Sequence, residues 1–218
     1  MNKDTVYYNF TNNFDNRIVG NLADLLLNGS VGIFPTDTVY GIGCNAFNEK
    51  SINEIFDIKK RSFKKPINVL VCNIDMVKSL TSEISNLEYK LMEKFWPGPL
   101  TIIFKKNNNI PQALTSGLNT IGIRMPENDI CLSLIEQANV PLATTSANIS
   151  NNSAIVNGNY LLEIFNSKVD FIIDSGISKI GLASTIVSVE DNIITILRNG
   201  PITKDDIITE IGGDIIVK

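Results

Sequence analysis

VGIFPTDTVYGIG, residues 31 to 43, carries an apolar run straight into two threonines, an aspartate and a tyrosine before it reaches Gly41 and Gly43. Continuous apolar character over VGIF reads as a buried strand. A loop that only reversed the chain would use less chemistry than PTDTVY. Polar residues beyond a buried strand are where open α/β sheets hold ligands.

The segments on both sides alternate in type. Upstream, RIVGNLADLLLNGS (17–30) has helical apolar spacing and stops at Asn28-Gly29, a C-cap signal. Downstream, Asn48 is placed to cap a helix through SINEIFDIKK, INVLVC (67–72) reads as a strand and 74–95 as mostly helical. WPGP (96–99) breaks the chain before the strand LTIIFK. The strand TIGIRM, a helix over 128–138, the strand PLATTS and a helix near 158–166 follow. Short strands at FIID, STIVSV and IITILR and a closing helix ITKDDIITEI complete the pattern. It predicts an α/β fold with a twisted, mixed sheet in one domain, since some strands are joined by crossovers and the late ones by short turns.

With 218 residues, 44% hydrophobic and 19% charged, the chain reads as a soluble globular protein with one sizeable core. No apolar run approaches the ~18 residues of a membrane span, and the N-terminus lacks the apolar region of a signal peptide, so a cytoplasmic location is expected. Cys44, Cys72 and Cys131 are widely spaced and odd in number, which reads as small buried hydrophobes and not a disulfide scaffold. The absence of histidine rules out Ser-His-Asp, Cys-His and the usual zinc sites. Catalysis must then rest on positioning, cations, hydroxyls or a bound metal. A net charge of −4 disfavours a protein whose main task is gripping nucleic acid.

Four polar clusters fall at strand ends: FPTDTVYG, Arg124, TTSANIS (144–150) and Arg198. They are expected to surround one cavity. KKRSFKK (59–65) holds five cations in seven residues. As a helix end these cations complement the macrodipole; as a site they form an anion clamp in which the planar fork of Arg61 fits phosphate or carboxylate. Lys59 and Arg61 share a direction only if the helix ends there. Arg124 and Arg198, within apolar strand patterns, need partners, which are either a structural carboxylate or a ligand. Thr144, Ser146 and Asn148 offer hydroxyl and amide groups at alternating positions, or else cap a turn; Thr36 and Asp37 could equally bond only their own backbone. Neither stretch has the spacing of a known phosphate loop. The residues alone therefore give a cationic, hydroxyl-lined pocket for an anionic small molecule.

In order, FPTDTVYGIGCNA, IFDIKKRSFKKPINVLV, FWPGPLTIIFK, TIGIRMP, PLATTSANIS, STIVSV and LRNGPIT resemble the motifs of the YrdC/TsaC family, the threonylcarbamoyl-AMP synthases. The resemblance covers about residues 17–210. It implies a YrdC-like open, twisted mixed sheet flanked by helices around a cationic cavity, as a single domain with no additional C-terminal domain. It also implies synthesis of L-threonylcarbamoyladenylate and pyrophosphate from L-threonine, bicarbonate or CO2, and ATP with Mg2+. That adenylate is the first intermediate of threonylcarbamoyladenosine in tRNA, and it is handed to the tRNA threonylcarbamoyl transferase complex. Carried over by motif, Thr36, Lys65, Arg124, Thr144 and Ser184 belong to threonine, and Lys59, Arg61, Thr120, Ser146, Asn148 and Arg198 to ATP, with Lys59 and Arg61 as the catalytic pair. No protein metal ligand is implied. Ser62 stands where the family usually has proline and Asn151 where glycine is common, so both bear on loop stiffness. The competing reading is a double-stranded RNA or tRNA-binding protein of the same fold, for which the acidic composition predicts weak binding at most.

Overall fold

The computed structural model describes residues 3–150, 152–213 and 215–218. In chain order its elements are β1 (Val6–Asn9), α1 (Asn16–Leu27), β2 (Gly32–Phe34), β3 (Gly41–Asn45), α2 (Glu49–Lys59), β4 (Asn68–Leu70), α3 (Ile74–Leu80), α4 (Asn86–Phe95) and β5 (Leu100–Lys105). They continue with α5 (Gln112–Thr115), β6 (Thr120–Arg124), α6 (Asp129–Ala138), β7 (Leu142–Ser146), α7 (Leu161–Phe165), β8 (Phe171–Asp174), β9 (Thr185–Glu190), β10 (Ile193–Arg198), α8 (Lys204–Ile211) and β11 (Ile216–Val217).

All the described strands join one sheet in the order β1-β8-β2-β3-β7-β4-β6-β5-β9-β10-β11. Pairs β1/β8, β8/β2, β4/β6, β5/β9 and β10/β11 are parallel and the rest antiparallel, so the sheet is mixed as expected. The β9–β10 turn is short because Asp191 and Asn192 both take positive φ (48° and 62°), the geometry whose twist suits a two-residue hairpin.

Local chemistry sets the helix bounds. Asp15 caps α1, which buries Val19, Leu22, Ala23 and Leu26 and gives way at Asn28 to Gly29 at φ 94°. Asn48 Oδ1 accepts from Ser51 N at 3.1 Å at the start of α2, and Asn128 Oδ1 accepts from Cys131 N at 3.0 Å at the start of α6. Lys60, left-handed at φ 50°, stops α2 immediately after Lys59.

Several expectations need correction. Residues 74–95 are mostly helical as expected, but as two helices, because Ser85 and Glu88 build a capping box that starts α4 afresh and Thr81 bridges to Lys106 instead of continuing α3. INVLVC shortens to β4, and the helix near 158–166 is a 3-10 turn (Gly158–Tyr160) followed by α7. Edge strands β1 and β11 and the single-turn α5 carried no strong periodicity, since short edges are fixed by pairing and not by their own pattern. Cys44 and Cys131 are buried, but Cys72 is only partly so. No helix among the described residues is long and apolar enough to cross a membrane.

Candidate active site

A cavity of about 430 Å³ lies over one face of the sheet, within the roughly 300–1,000 Å³ usual for small-molecule sites. Its floor is read off by the period-2 rule: Asn68 and Leu70 on β4, Thr101 and Ile103 on β5, Thr120, Gly122 and Arg124 on β6, Thr144 and Ser146 on β7. This corrects the expectation of a site beyond the strand ends. In TIGIR the small and polar residues Thr120, Gly122 and Arg124 share the cavity face, which Ile121 also borders, while Ile123 is buried away from it, so the floor is the face itself.

The cavity brings together Thr36, Arg61, Thr120, Arg124, Thr144, Ser146, Ser184 and Arg198. Lys59, Lys65 and Asn148 line an adjoining pocket of about 210 Å³ that shares Arg61 and Ser146 with the first. The four clusters therefore do meet, although at a face. No Asp or Glu among the described residues lines either pocket.

Arg124 is buried at 5% exposure, and its partner is Asp37, 1% exposed, with Arg124 Nη1 at 3.1 and 3.3 Å from the two carboxylate oxygens. One nitrogen serves both oxygens, so this is not the parallel fork, and Nε and Nη2 make no hydrogen bond to the described residues. Of the two readings open for Asp37, a residue of the turn or part of a site, its carboxylate takes the second by anchoring the cation. Thr36 does behave as a turn residue: its hydroxyl donates to Val39 O at 2.6 Å and accepts from Val39 N at 3.3 Å. Backbone bonds from Ile180 N to Asp37 O and from Gly181 N to Thr38 O tie this turn to the segment that leads into Ser184.

Arg198 reaches the cavity through an irregularity. Ile194 pairs with Val189 and Ile196 with Val187, but Arg198 and not Leu197 stands opposite Ile186. Leu197 is the extra residue of a β-bulge. By strict alternation Arg198 would join Ile194 and Ile196 on the core side; the bulge turns it to the cavity side, with Ile186. There its Nε and Nη2 donate to Ser184 O at 3.0 and 2.7 Å, and Nη2 lies 3.0 Å from Ser184 Oγ. Thr101 Oγ1 completes the cluster at 2.8 Å from Ser184 Oγ. Gly200 is required by this closure, because a Cβ there would lie 2.3 Å from Thr185 N and 2.6 Å from Ala183 O.

Because α2 ends at Lys59, Lys59 and Arg61 face the same adjoining pocket. Arg61 Nε and Nη2 donate to the carbonyls of Lys65 and Pro66 at 3.2 and 2.8 Å. Lys59, 1% exposed, donates to the carbonyls of Ser146 and Asn148 (2.6 Å to the latter) and to Asn148 Oδ1 at 2.9 Å, which uses all three ammonium protons. Burial first, and the Arg61 charge second, bring its pKa down to about 7. Ser146 Oγ donates to Asn148 Oδ1 at 2.7 Å and Asn148 Nδ2 to Asn152 O at 2.6 Å, so TTSAN is a bonded turn as well as a pocket wall. Ser62 Oγ accepts from Lys64 N at 3.3 Å, stitching its own loop without proline. Asn151 lies outside the described residues.

Burial lowers the pKa of Arg61, Arg124 and Arg198; Arg124 adds to the effect on Arg198, and Asp37 opposes it at Arg124. Of these three guanidinium groups only Arg124 has a carboxylate partner among the described residues, and an anion entering the cavity would offset the charge of the others. Among the described residues no group of three His, Cys, Asp or Glu could hold a metal ion. The lining offers hydroxyls and carbonyls, which suits Mg2+ carried on phosphate oxygens and water better than a protein cage. Asp37, Thr101 and Asn68 were missed from the sequence; the alternation in TIGIR and INVL was the signal for the floor.

A family model named Sua5_yciO_yrdC and described as telomere recombination matches residues 24–200. The chain is 35% identical over 190 residues to the threonylcarbamoyl-AMP synthase of Pyrococcus abyssi, covering 87% of this chain and 56% of that protein. It is 40% identical over 177 residues to the putative threonylcarbamoyl-AMP synthase of Methanocaldococcus jannaschii, covering 81% and 83%. It thus spans little more than half the length of the P. abyssi protein and of a Bacillus subtilis relative. The solved structure of P. abyssi Sua5 complexed with L-threonine superposes with a TM-score of 0.93 at 32% identity, over 98% of this chain and 63% of that one. E. coli YciO, at 22% identity, shares the fold with a TM-score of 0.80 over 91% and 96%.

Proposed function

Since the chain belongs to the Sua5/YciO/YrdC family, we propose that it joins L-threonine, bicarbonate or CO2, and ATP into L-threonylcarbamoyladenylate with release of pyrophosphate. One observation carries this reading. Among the described residues, each of three arginines is clamped by some of its donors and keeps others unused, and no carboxylate lines the cavity they face. Substrates bearing a carboxylate and a triphosphate match that arrangement.

The amine of threonine adds to CO2 and loses a proton to give a carbamate. A carbamate oxygen then attacks the α-phosphorus of ATP, the bond to the β-phosphate oxygen breaks, and pyrophosphate leaves. Both reacting partners are anions, so the protein's task is charge neutralisation and in-line placement. Arg124, steadied by Asp37, takes the threonine carboxylate through Nε and Nη2. Arg198 and Arg61 each retain Nη1 for phosphate oxygens. Thr36, Thr144, Ser184 and Lys65 flank threonine, and Thr120, Ser146 and Asn148 flank the nucleotide. Lys59 acts first by folding the Ser146–Asn148 turn; a phosphate oxygen reaches its ammonium by displacing one of three oxygens already bound. Mg2+ arrives with ATP and supplies further charge neutralisation. The adenylate then serves the threonylcarbamoylation of tRNA by a separate transferase complex.

The test is chromatographic detection of adenylate and pyrophosphate from purified protein with ATP, L-threonine, bicarbonate and Mg2+. Product that requires all three substrates is expected; none, where a known synthase works, sinks the reading.

A further inference from the structure

Asn68 stands on β4 between β7 and β6, opposite Thr144 in register. Its side chain lies over Gly122, where an added Cβ would be 2.4 Å from Asn68 Oδ1. The missing side chain of Gly122 is thus the space the amide fills. On the same floor Thr101, Thr144, Ser146 and Ser184 all spend their hydroxyls on protein partners. The Asn68 amide makes no hydrogen bond to the described residues and lines the cavity.

We propose that Asn68 is a specificity-determining residue that hydrogen-bonds the side-chain hydroxyl of the amino-acid substrate, an inference that rests on the function proposed above. Gly122 precedes Arg124 by two residues on β6, about 7 Å along the strand, a span that the long arginine side chain and a small amino acid bridge together. A carboxylate held at Arg124 thus sets the rest of the molecule over Gly122 and Asn68. The anionic groups of both substrates are drawn to the three arginines, which leaves a neutral amide to face a neutral group. An amide offers one donor and one acceptor side, the complement of a hydroxyl that both gives and takes a hydrogen bond. Gly122 and Thr144 hold the amide between them, so it presents these groups from a packed strand and not from a mobile loop.

The experiment compares L-threonine with L-valine, in which a methyl replaces the hydroxyl, by pyrophosphate release in the full chain and in Asn68→Leu and Asn68→Ala. In the wild type threonine should exceed valine in kcat/KM by at least roughly 100-fold, since sites that bond a substrate hydroxyl reject analogues lacking it. Both variants should lose at least about tenfold of that ratio, with the KM for ATP within about threefold of wild type. Calorimetric ATP binding checks that each variant folds; should Asn68→Leu fail, the smaller Asn68→Ala carries the comparison. Valine used within tenfold of threonine by the wild type, or an unchanged ratio in a folded variant, overturns the proposal while threonine-dependent pyrophosphate release leaves the broader reading standing. Absence of that release in the wild type removes the broader reading, and the role of Asn68 falls with it.

Discussion

Asp37→Ala would leave Arg124 charged and buried without its partner, a change of the kind that costs about 3–5 kcal/mol. In a chain of this length that corresponds to a fall in melting temperature of roughly 10 °C, measurable by calorimetry. Because Asp37 also aims the guanidinium, the KM for threonine should rise well beyond that for ATP. Equal rises would mean that the pair only stabilises the fold. Arg198→Ala should act on the other substrate: one charge-assisted contact contributes about 1.5–3 kcal/mol, so nucleotide affinity should drop about tenfold or more. Unchanged affinity in titration calorimetry would remove Arg198 from the phosphate site. Both arginines stand out in apolar strands, yet their partners do not. Asp37 is distant from Arg124 in sequence, and Ser184 accepts from Arg198 partly through a backbone carbonyl, which no side-chain pattern announces.

At the scale of elements, the bulge in β10 is the most exposed to test. Deleting Leu197 would remove the extra residue and set Arg198 directly after Ile196, still opposite Ile186 and on the cavity side, so nucleotide affinity should fall far less than in Arg198→Ala. A loss as large as that of Arg198→Ala in a folded deletion would show that register alone does not set the direction of Arg198. The end of α2 makes a pH-dependent prediction. Lys59 titrates near 7 in the folded chain against its ordinary 10.5, so the unfolded chain binds more protons between those values. Stability should therefore rise with pH above about 7 and be lost as pH falls through it. Melting temperatures between pH 7 and 8.5 should show this slope in the wild type and a flatter one in Lys59→Met. Toward the top of this window the thiols of Cys44 and Cys131, raised by burial, begin to oppose it by ionising in the unfolded chain, and they do so equally in Lys59→Met. Strong signals marked the main helices and strands: Asn48 and Asn128 as caps, Asn28-Gly29 as a stop, and the break at WPGP. The capping box at Ser85 and Glu88 was equally legible in residues 74–95 and separates α3 from α4.

For the whole molecule, net charge and the placement of the cations work together. A chain of net charge −4 that turns Lys59, Arg61, Arg124 and Arg198 into two adjoining pockets leaves its other Lys and Arg outnumbered by 23 Asp and Glu, a poor surface for following a phosphate backbone. Its tRNA affinity should be weak, steeply lost with salt and reduced by ATP with Mg2+, as read by fluorescence anisotropy. Submicromolar binding at physiological salt that ATP does not displace would establish a separate RNA surface.

The sequence by itself determined the mixed α/β class, the chemistry of the pocket and the residues to watch, because strand and helix periods, caps and the cost of burying a charge are local properties. Only the tertiary structure decided that the pocket lies over a face and not beyond strand ends. It also decided that Asp37 holds Arg124, that a bulge turns Arg198 round and that all three protons of Lys59 are already engaged. These depend on register across strands far apart in the chain, where the insertion of one residue reverses the side on which every later side chain stands.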